Sequence, residues 1–354
     1  MKEAMQVIRA RSFARAGFLG NPSDGYFGKT ISFSFTEFCV DLRLTESARL
    51  RFIPGEVDDA TFDSPRQLVR DLRLYGYYGG IRMLKAVSKL FFEYCEEHGI
   101  EVADANFTAE YKINIPRLVA LSGSSAICSA MLKALQRFYG VTVPLEDAPT
   151  ICLEAERDEL GIACGLQDRV IQIYNGLVYM DFDRELVERT GHGRYERLDP
   201  ARLPNLYIAY DPRRAEESGK AHKKVKKLFQ QQNHDVVAAM SEFADIAQQG
   251  RDALVAGKFE KIPALVNANF DLRDKIFNVA EENRHMVMVA RSAGASAKFA
   301  GSGGAIVGTY EDDAQFAALA ASLEKIGCRT LKPVIASKAD ESADLDATTV
   351  WRNS

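Results

Sequence analysis

The sequence predicts a two-domain protein of mixed strands and helices (α/β, α+β), and three observations carry that prediction. The chain has 354 residues, 47% of them hydrophobic, enough to bury two packed cores. Its first half changes repeatedly between period-two and helical spacing. Its second half, entered through a segment at 198–206 that holds Pro200 and Pro204, carries long helical patterns, a glycine-rich stretch and a short apolar strand. The domains are placed at 1–197 and 198–340 with a flexible tail at 341–354, and the polar, acidic sequence after Ala336 is expected to fray.

Residues 5–18 alternate between apolar and polar, and 31–44 repeats the pattern with β-branched and aromatic side chains, so both read as strands. Residues 66–74 and 81–97 take helical spacing; Ile81, Leu84, Val87, Phe91 and Tyr94 share one face, and Gly99 stops the second helix. A strand at 111–115, a loop at 116–123 and a helix at 124–139 ending at Gly140 follow in that order. Residues 169–174 and 177–182 read as two strands around Asn175 and Gly176, a hairpin with a type I′ turn. Beyond the crossing, 206–210 reads as a strand, 221–257 and 272–290 as helices, and 305–310 as a strand, while the sequence after Ala336 lacks periodicity.

Charge and composition narrow the function. A net charge of −4 and a pI near 5.9 give no overall basic field, so a nucleic-acid partner is not expected. The six cysteines are widely separated without a C-x-x-C pair and read as reduced thiols. Charged residues interrupt the N-terminus and no stretch of eighteen uncharged apolar residues exists, so a cytoplasmic protein with no membrane partner is expected. The five histidines lack metal-ligand spacing, and no serine sits in a G-x-S-x-G elbow.

Two glycine-bearing loops stand out. Leu121, Ser122, Gly123, Ser124, Ser125 and Ala126 join a turn of small residues to the start of a helix. Unpaired N–H groups and the helix dipole bind phosphate there when no bulky side chain blocks the approach. Ser124 and Ser125 can cap the helix, bond a phosphate oxygen, or ligate magnesium carried by a nucleotide; an ordinary serine cap has the same spelling. The string is neither a Walker A loop nor a dinucleotide fingerprint. Downstream, Gly301, Ser302, Gly303 and Gly304 make a tight turn before an apolar strand, which suits either a plain connection or a close backbone approach to a ligand. Phosphoryl transfer needs charge neutralisation of the phosphates and a carboxylate to orient or deprotonate the attacking hydroxyl. Glu156 suits the first role and Asp168 the second. Lys220 opens a basic run that continues through His222 and Lys227, ordinarily a solvated helix face, and Tyr26, Tyr174 and Tyr179 are either core residues or platforms for a sugar ring.

These residues resemble the GHMP kinases, a family that includes galactokinase, homoserine kinase and mevalonate kinase. The resemblance lies in three blocks, 15–28, 116–126 and 298–304, with 156–168 between the last two. In the second block Ala120 and Ser122 stand at positions where the family motif has glycine. The wording of 20–32, of 165–170 and of 176–182 is similar to the glucuronokinase branch of sugar 1-kinases. The resemblance implies a ribosomal-S5-like N-terminal domain and a ferredoxin-like C-terminal domain with the site in the cleft between them. It implies ATP and Mg²⁺ as cofactors, with Ser125 and Glu156 on magnesium, Asp168 as base and Arg15 beside the reacting oxygen. Gly20, Asn21, Asp24, Tyr26, Lys220 and Lys298 would meet the substrate, Asp24 on its hydroxyls. The expected reaction is phosphorylation of a sugar or sugar acid at C1, D-glucuronate first. Galactose, fucose, a heptose phosphate or a mevalonate-like alcohol are the alternative acceptors, and a silent ATP and sugar sensor is the rival of another class. A monomer or homodimer is expected.

Overall fold

The computed structural model describes residues 6–55, 58, 79–213, 219–277 and 279–341. Strands β1 (Val7–Leu19) and β2 (Lys29–Ser47) form a long antiparallel pair, with Val7 opposite Thr45 and Leu19 opposite Ile31. From Ala10 onward β1 is buried on both faces, so the sheet lies inside the molecule. There follow β3 (Arg51–Phe52), α1 (Gly80–Glu97), β4 (Asn106–Ile113) and α2 (Gly123–Tyr139). After them come α3 (Ala148–Glu154), α4 (Gln167–Tyr174), β5 (Leu177–Asp181), α5 (Arg184–Thr190) and β6 (Arg194–Leu198). β2 is the centre: β1 pairs along one edge, while β4 and β5 share the other, giving the order β3-β4-β2-β5-β6. Small residues let α2 pack closely on β1 and β2, with Ala126, Ala130 and Ala134 fully buried, and Gly140 ends it in the left-handed conformation.

A short 3₁₀ turn at Pro200–Arg202 carries the chain from the first sheet to the second. The second half holds β7 (Leu206–Tyr210), α6 (Gly219–Gln230), α7 (His234–Ala256), α8 (Ile262–Ile276) and α9 (Glu281–Ser292). It closes with β8 (Lys298–Phe299), β9 (Ala305–Thr309), α10 (Asp313–Lys325) and β10 (Arg329–Leu331). The strands make an antiparallel sheet in the order β10-β7-β9-β8. An edge-to-face series from Phe18 through Phe33, Phe35 and Phe38 to Tyr210 joins the two sheets. Phe18, Phe33 and Phe35 are fully buried, each stabilising by about 1.5–3 kcal/mol, so the two halves share one apolar interior that fixes the cleft above it.

Several expectations need correction. Residues 169–174 are not a strand: they belong to α4, and Asn175 (φ 56°) with Gly176 (φ 83°) turns that helix into β5. Every residue of α4 except Asp168 is buried, so its β-branched run reads like a buried strand. The helix expected at 272–290 is two, broken between Ile276 and Glu281, and α8 begins ten residues earlier with Pro263 in its first turn, where a missing N–H costs nothing. The span 221–257 is also interrupted, at Gln232 and at Asn233, whose Oδ1 accepts from Val236 N–H and caps α7. The chain beyond Ala336 does not fray at once. Ala336 is buried and its N–H donates to Ser34 O at 2.9 Å, while Glu341 pairs with Lys133 and accepts from Asn175. The helix expected at 66–74 and the tail from 342 lie outside the described residues.

Candidate active site

A cavity of about 590 Å³ opens between the two halves, lined from the first by Arg15, Asp24, Ser122, Ser124, Glu156 and Asp168 and from the second by Arg273 and Gly301. Its floor is the loop from Pro116 into α2. This loop passes through left-handed backbone at Leu118 (φ 63°), Ala120 (φ 55°) and Ser122 (φ 64°), where side chains are strained. The path aims the first turn of α2 into the cavity. Ser122 stands at the N-cap, yet no side chain caps the helix, so its first amides remain directed at whatever enters.

Asp168, on the first turn of α4, meets β1 across the cavity. The Arg15 guanidinium grips it with both arms, Nε to Oδ1 at 2.6 Å and one terminal nitrogen to Oδ2 at 2.8 Å, and Ser122 Oγ donates to Oδ2 at 2.6 Å. The other arginine nitrogen donates to Ala120 O at 2.7 Å and Ala300 O at 2.9 Å, tying together the floor, β1 and the second half. Burial works to raise the Asp168 pKa, but Arg15, Arg169 and the Ser122 bond outweigh it and hold the carboxyl well below the usual range. Its side chain is still 21% exposed, so the ionised carboxylate faces the cavity.

Glu156 sits in the π turn at Ala155–Glu159 that continues α3, and it is fully buried. Its Oε2 accepts from Arg169, with Nε at 2.8 Å, and its Oε1 has no hydrogen-bond partner among the described residues. An orphaned carboxylate oxygen on the wall of a cavity fits a cation that arrives from the cavity side. No cluster of three or more acidic, histidine or cysteine ligands exists among the described residues. Asp24 lies beside the N-terminus of α4, against the bare backbone of Gly165, where a Cβ would come within 2.3 Å of Oδ2. Burial and the Asp168 carboxylate push its pKa up to about 7. Tyr26 lines the same wall and packs edge-on against Phe229.

The second half closes the site with glycines. A Cβ on Gly301 would lie 2.4 Å from Ala120 O and 3.0 Å from an Arg15 nitrogen, so only a bare backbone lets the two loops meet. Gly17 N–H donates to Ala300 O at 2.7 Å, binding this turn to β1.

Among the residues singled out from sequence, Arg15, Asn21, Asp24, Tyr26, Leu121, Ser122, Gly123, Ser124, Glu156, Asp168, Gly301 and Ser302 line the one cavity. Others do not. Lys298 is 1% exposed and spends its ammonium on Gly17 O, Asn21 Oδ1 and Phe299 O, and burial, with Arg273 and Arg15 nearby, holds its pKa well below the lysine range. It therefore braces the turn at Asn21 from behind rather than meeting a substrate. Gly20 makes that turn at φ +83° against Lys29 O. Ala126 is core, Gly303 is buried away from the cavity, and Ser125 is buried with its hydroxyl donated to Ser122 O at 3.3 Å. Tyr174 and Tyr179 belong to the core rather than to a sugar platform. The side chain of Lys220 lies outside the described residues. Sequence reasoning missed Arg169, Lys226 and Arg273. Reading 169–174 as a helix would have found the first, because an arginine on the buried face of a helix demands a carboxylate partner. Arg273 packs over the Phe277 and Phe299 rings; Phe277 is its i+4 neighbour, while Phe299 comes from β8 and gives no local signal.

A cleft between two α/β halves, a helix terminus open to phosphate and a carboxylate gripped by arginine are parts that phosphoryl transfer to a small molecule uses. Residues 82–176 match the GHMP kinases N terminal domain. The chain is 46% identical over 308 residues to "Probable glucuronokinase 2" of Arabidopsis thaliana, covering 85% of this chain and 84% of that one. It is 44% identical over 311 residues to "Glucuronokinase 1" of the same plant, covering 86% and 85%. The Lactococcus lactis galactokinase solved with galactose shares the fold, with a TM-score of 0.73 at 16% identity and 94% of each chain covered. The chain belongs to the GHMP kinase family, and within it to the glucuronokinase branch. It is a kinase, with ATP as the family's phosphoryl donor and a small molecule as acceptor. No helix among the described residues is long and apolar enough to cross a membrane.

Proposed function

We propose that this chain transfers the γ-phosphoryl group of ATP to the anomeric C1 hydroxyl of D-glucuronate, giving ADP and glucuronate 1-phosphate. The observation that carries this reading is the convergence of the Arg15–Asp168 pair and the orphaned Glu156 Oε1 on one cavity floored by the first turn of α2. The triphosphate lies over the amides of Gly123 and Ser124, where bare backbone and the helix dipole stabilise its charge. Glu156, through Oε1, would hold magnesium, and Ser125 would join it only by turning its hydroxyl away from Ser122 O toward the cavity. When bound, the ion supplies charge neutralisation of the phosphate oxygens. Asp168 orients the C1 hydroxyl and accepts its proton late, as the phosphoryl group departs. Held so weakly basic by Arg15, that carboxylate acts first by orienting the hydroxyl, and the ring oxygen, which makes an anomeric hydroxyl more acidic than an ordinary alcohol, eases the late proton transfer. Arg15 fixes that carboxylate, Asp24 takes sugar hydroxyls, and the cationic side chains of Lys226 and Arg273 on the cavity wall favour an acidic sugar. The glucuronokinases among its relatives support the same substrate.

The test is an ADP-release assay over glucuronate, galacturonate, glucose, galactose and mevalonate, with ³¹P NMR of the product. Glucuronate should give the highest kcat/KM and a 1-phosphate signal. A preferred neutral hexose, or phosphate at another carbon, contradicts the reading.

A further inference from the structure

The bonds around Asp168 are unequal on its two oxygens. Each carboxylate oxygen offers about two acceptor directions. Among the described residues Oδ2 accepts twice, from an Arg15 terminal nitrogen at 2.8 Å and from Ser122 Oγ at 2.6 Å, while Oδ1 accepts once, from Arg15 Nε at 2.6 Å. We propose that Ser122 is a positioning residue that fills the second acceptor direction of Oδ2, so that Oδ1 is the oxygen that meets the acceptor hydroxyl. The inference rests on the role given to Asp168 above.

Two further features of Ser122 point the same way. It occupies the N-cap of α2, where a serine hydroxyl ordinarily bonds an amide of its own helix, yet it makes no such bond and reaches Asp168 instead. Its backbone is left-handed, a conformation that suits glycine, so the side chain is held against a conformational cost. The residue is also pinned from the other side. Ser122 O accepts from Gln172 Nε2 at 2.9 Å and from Ala126 N–H at 3.1 Å, so α4, which carries Asp168, and α2, which Ser122 caps, move as one body. With both partners fixed, the hydroxyl selects which lone pair of the carboxylate stays open. In the reaction the C1 O–H proton passes to Oδ1 as the C1 oxygen forms its bond to phosphorus and the bond from phosphorus to the ADP oxygen breaks.

The test compares Ser122→Gly and Ser122→Ala with the parent enzyme, and places Ser122→Gly in an Asp168→Asn background with residual transfer followed at single turnover. Glycine fits the backbone angle and alanine keeps the Cβ, so the pair separates the hydroxyl from folding. Both should lower kcat about tenfold, the cost of a loosened proton acceptor, with KM for ATP and for the sugar within about twofold. In the Asp168→Asn background Ser122→Gly should cause no further loss, because Ser122 acts through the missing carboxylate. An unchanged kcat in both single variants overturns the proposal, as does a raised KM for ATP with kcat retained, or an equal loss in both backgrounds. If Asp168→Asn itself keeps full turnover, the role of Asp168 falls, and the positioning role falls with it.

Discussion

The loop from Pro116 to Gly123 passes through left-handed backbone at Leu118, Ala120 and Ser122, none of them glycine, whereas the turn from Gly301 to Gly304 is bare where it comes close to its neighbours. Both loops border the same cavity and touch each other at Ala120 and Gly301. The first keeps side chains at a conformational cost, and one of them, Ser122, bonds the base. The second gives side chains up so that main chain can approach main chain. Where a loop's side chains act, strain is tolerated; where its backbone must fit, it is not.

Breaking the second loop should have the larger effect. In Gly301→Ala the new Cβ would press on Ala120 O at 2.4 Å and on the Ala120 Cβ at 2.8 Å, neither the end of a flexible side chain. The loops must part by a substantial fraction of an ångström, and kcat/KM for ATP should fall by about a hundredfold in steady-state assays. Next comes the wall facing the first loop. Glu156→Gln weakens the donor oxygen left open to the cavity, so the magnesium concentration giving half-maximal rate should rise by about tenfold or more in a metal titration.

Relaxing the first loop should do less. Ala120→Gly removes a side chain from φ 55° and should raise unfolding stability by up to about 1 kcal/mol in urea melts. A loss of stability there would show that the loop is not strained. A separate, pH-dependent effect is expected at Asp24, which sits beside the N-terminus of α4. Its pKa rises from 3.8 to about 7 on folding, so the folded protein keeps a proton that the unfolded chain releases. Stability therefore declines as pH rises through that window and levels off above it. Asp24→Asn should flatten this part of the pH–stability curve, measured by denaturant melts between pH 4 and 8.

Much of this arrangement was legible in the sequence because it is local. The strand, loop and helix read at 111–139, the small residues opening α2 and the late glycines all announce themselves through neighbours a few positions apart, although the strand itself begins at Asn106. Asp168 and Glu156 needed the chemistry of phosphoryl transfer and the resemblance to be singled out at all. What could not be read depends on burial and on long-range contact. α4 looks like a strand because all of it but Asp168 is covered, and Lys298 looks like a substrate ligand until its ammonium is found on Gly17, Asn21 and Phe299. Ser122 reads in sequence as one more small residue of the phosphate loop, and only the fold brings Asp168, 46 residues away, within 2.6 Å of it.

The most direct measurement is a crystal structure of the protein with a non-hydrolysable ATP analogue, magnesium and glucuronate. The expected result has the terminal phosphoryl group above the first turn of α2 and the C1 hydroxyl within hydrogen-bond reach of Asp168 Oδ1, about 2.6–3.2 Å. A nucleotide seated elsewhere, or an acceptor hydroxyl remote from Asp168, would contradict it.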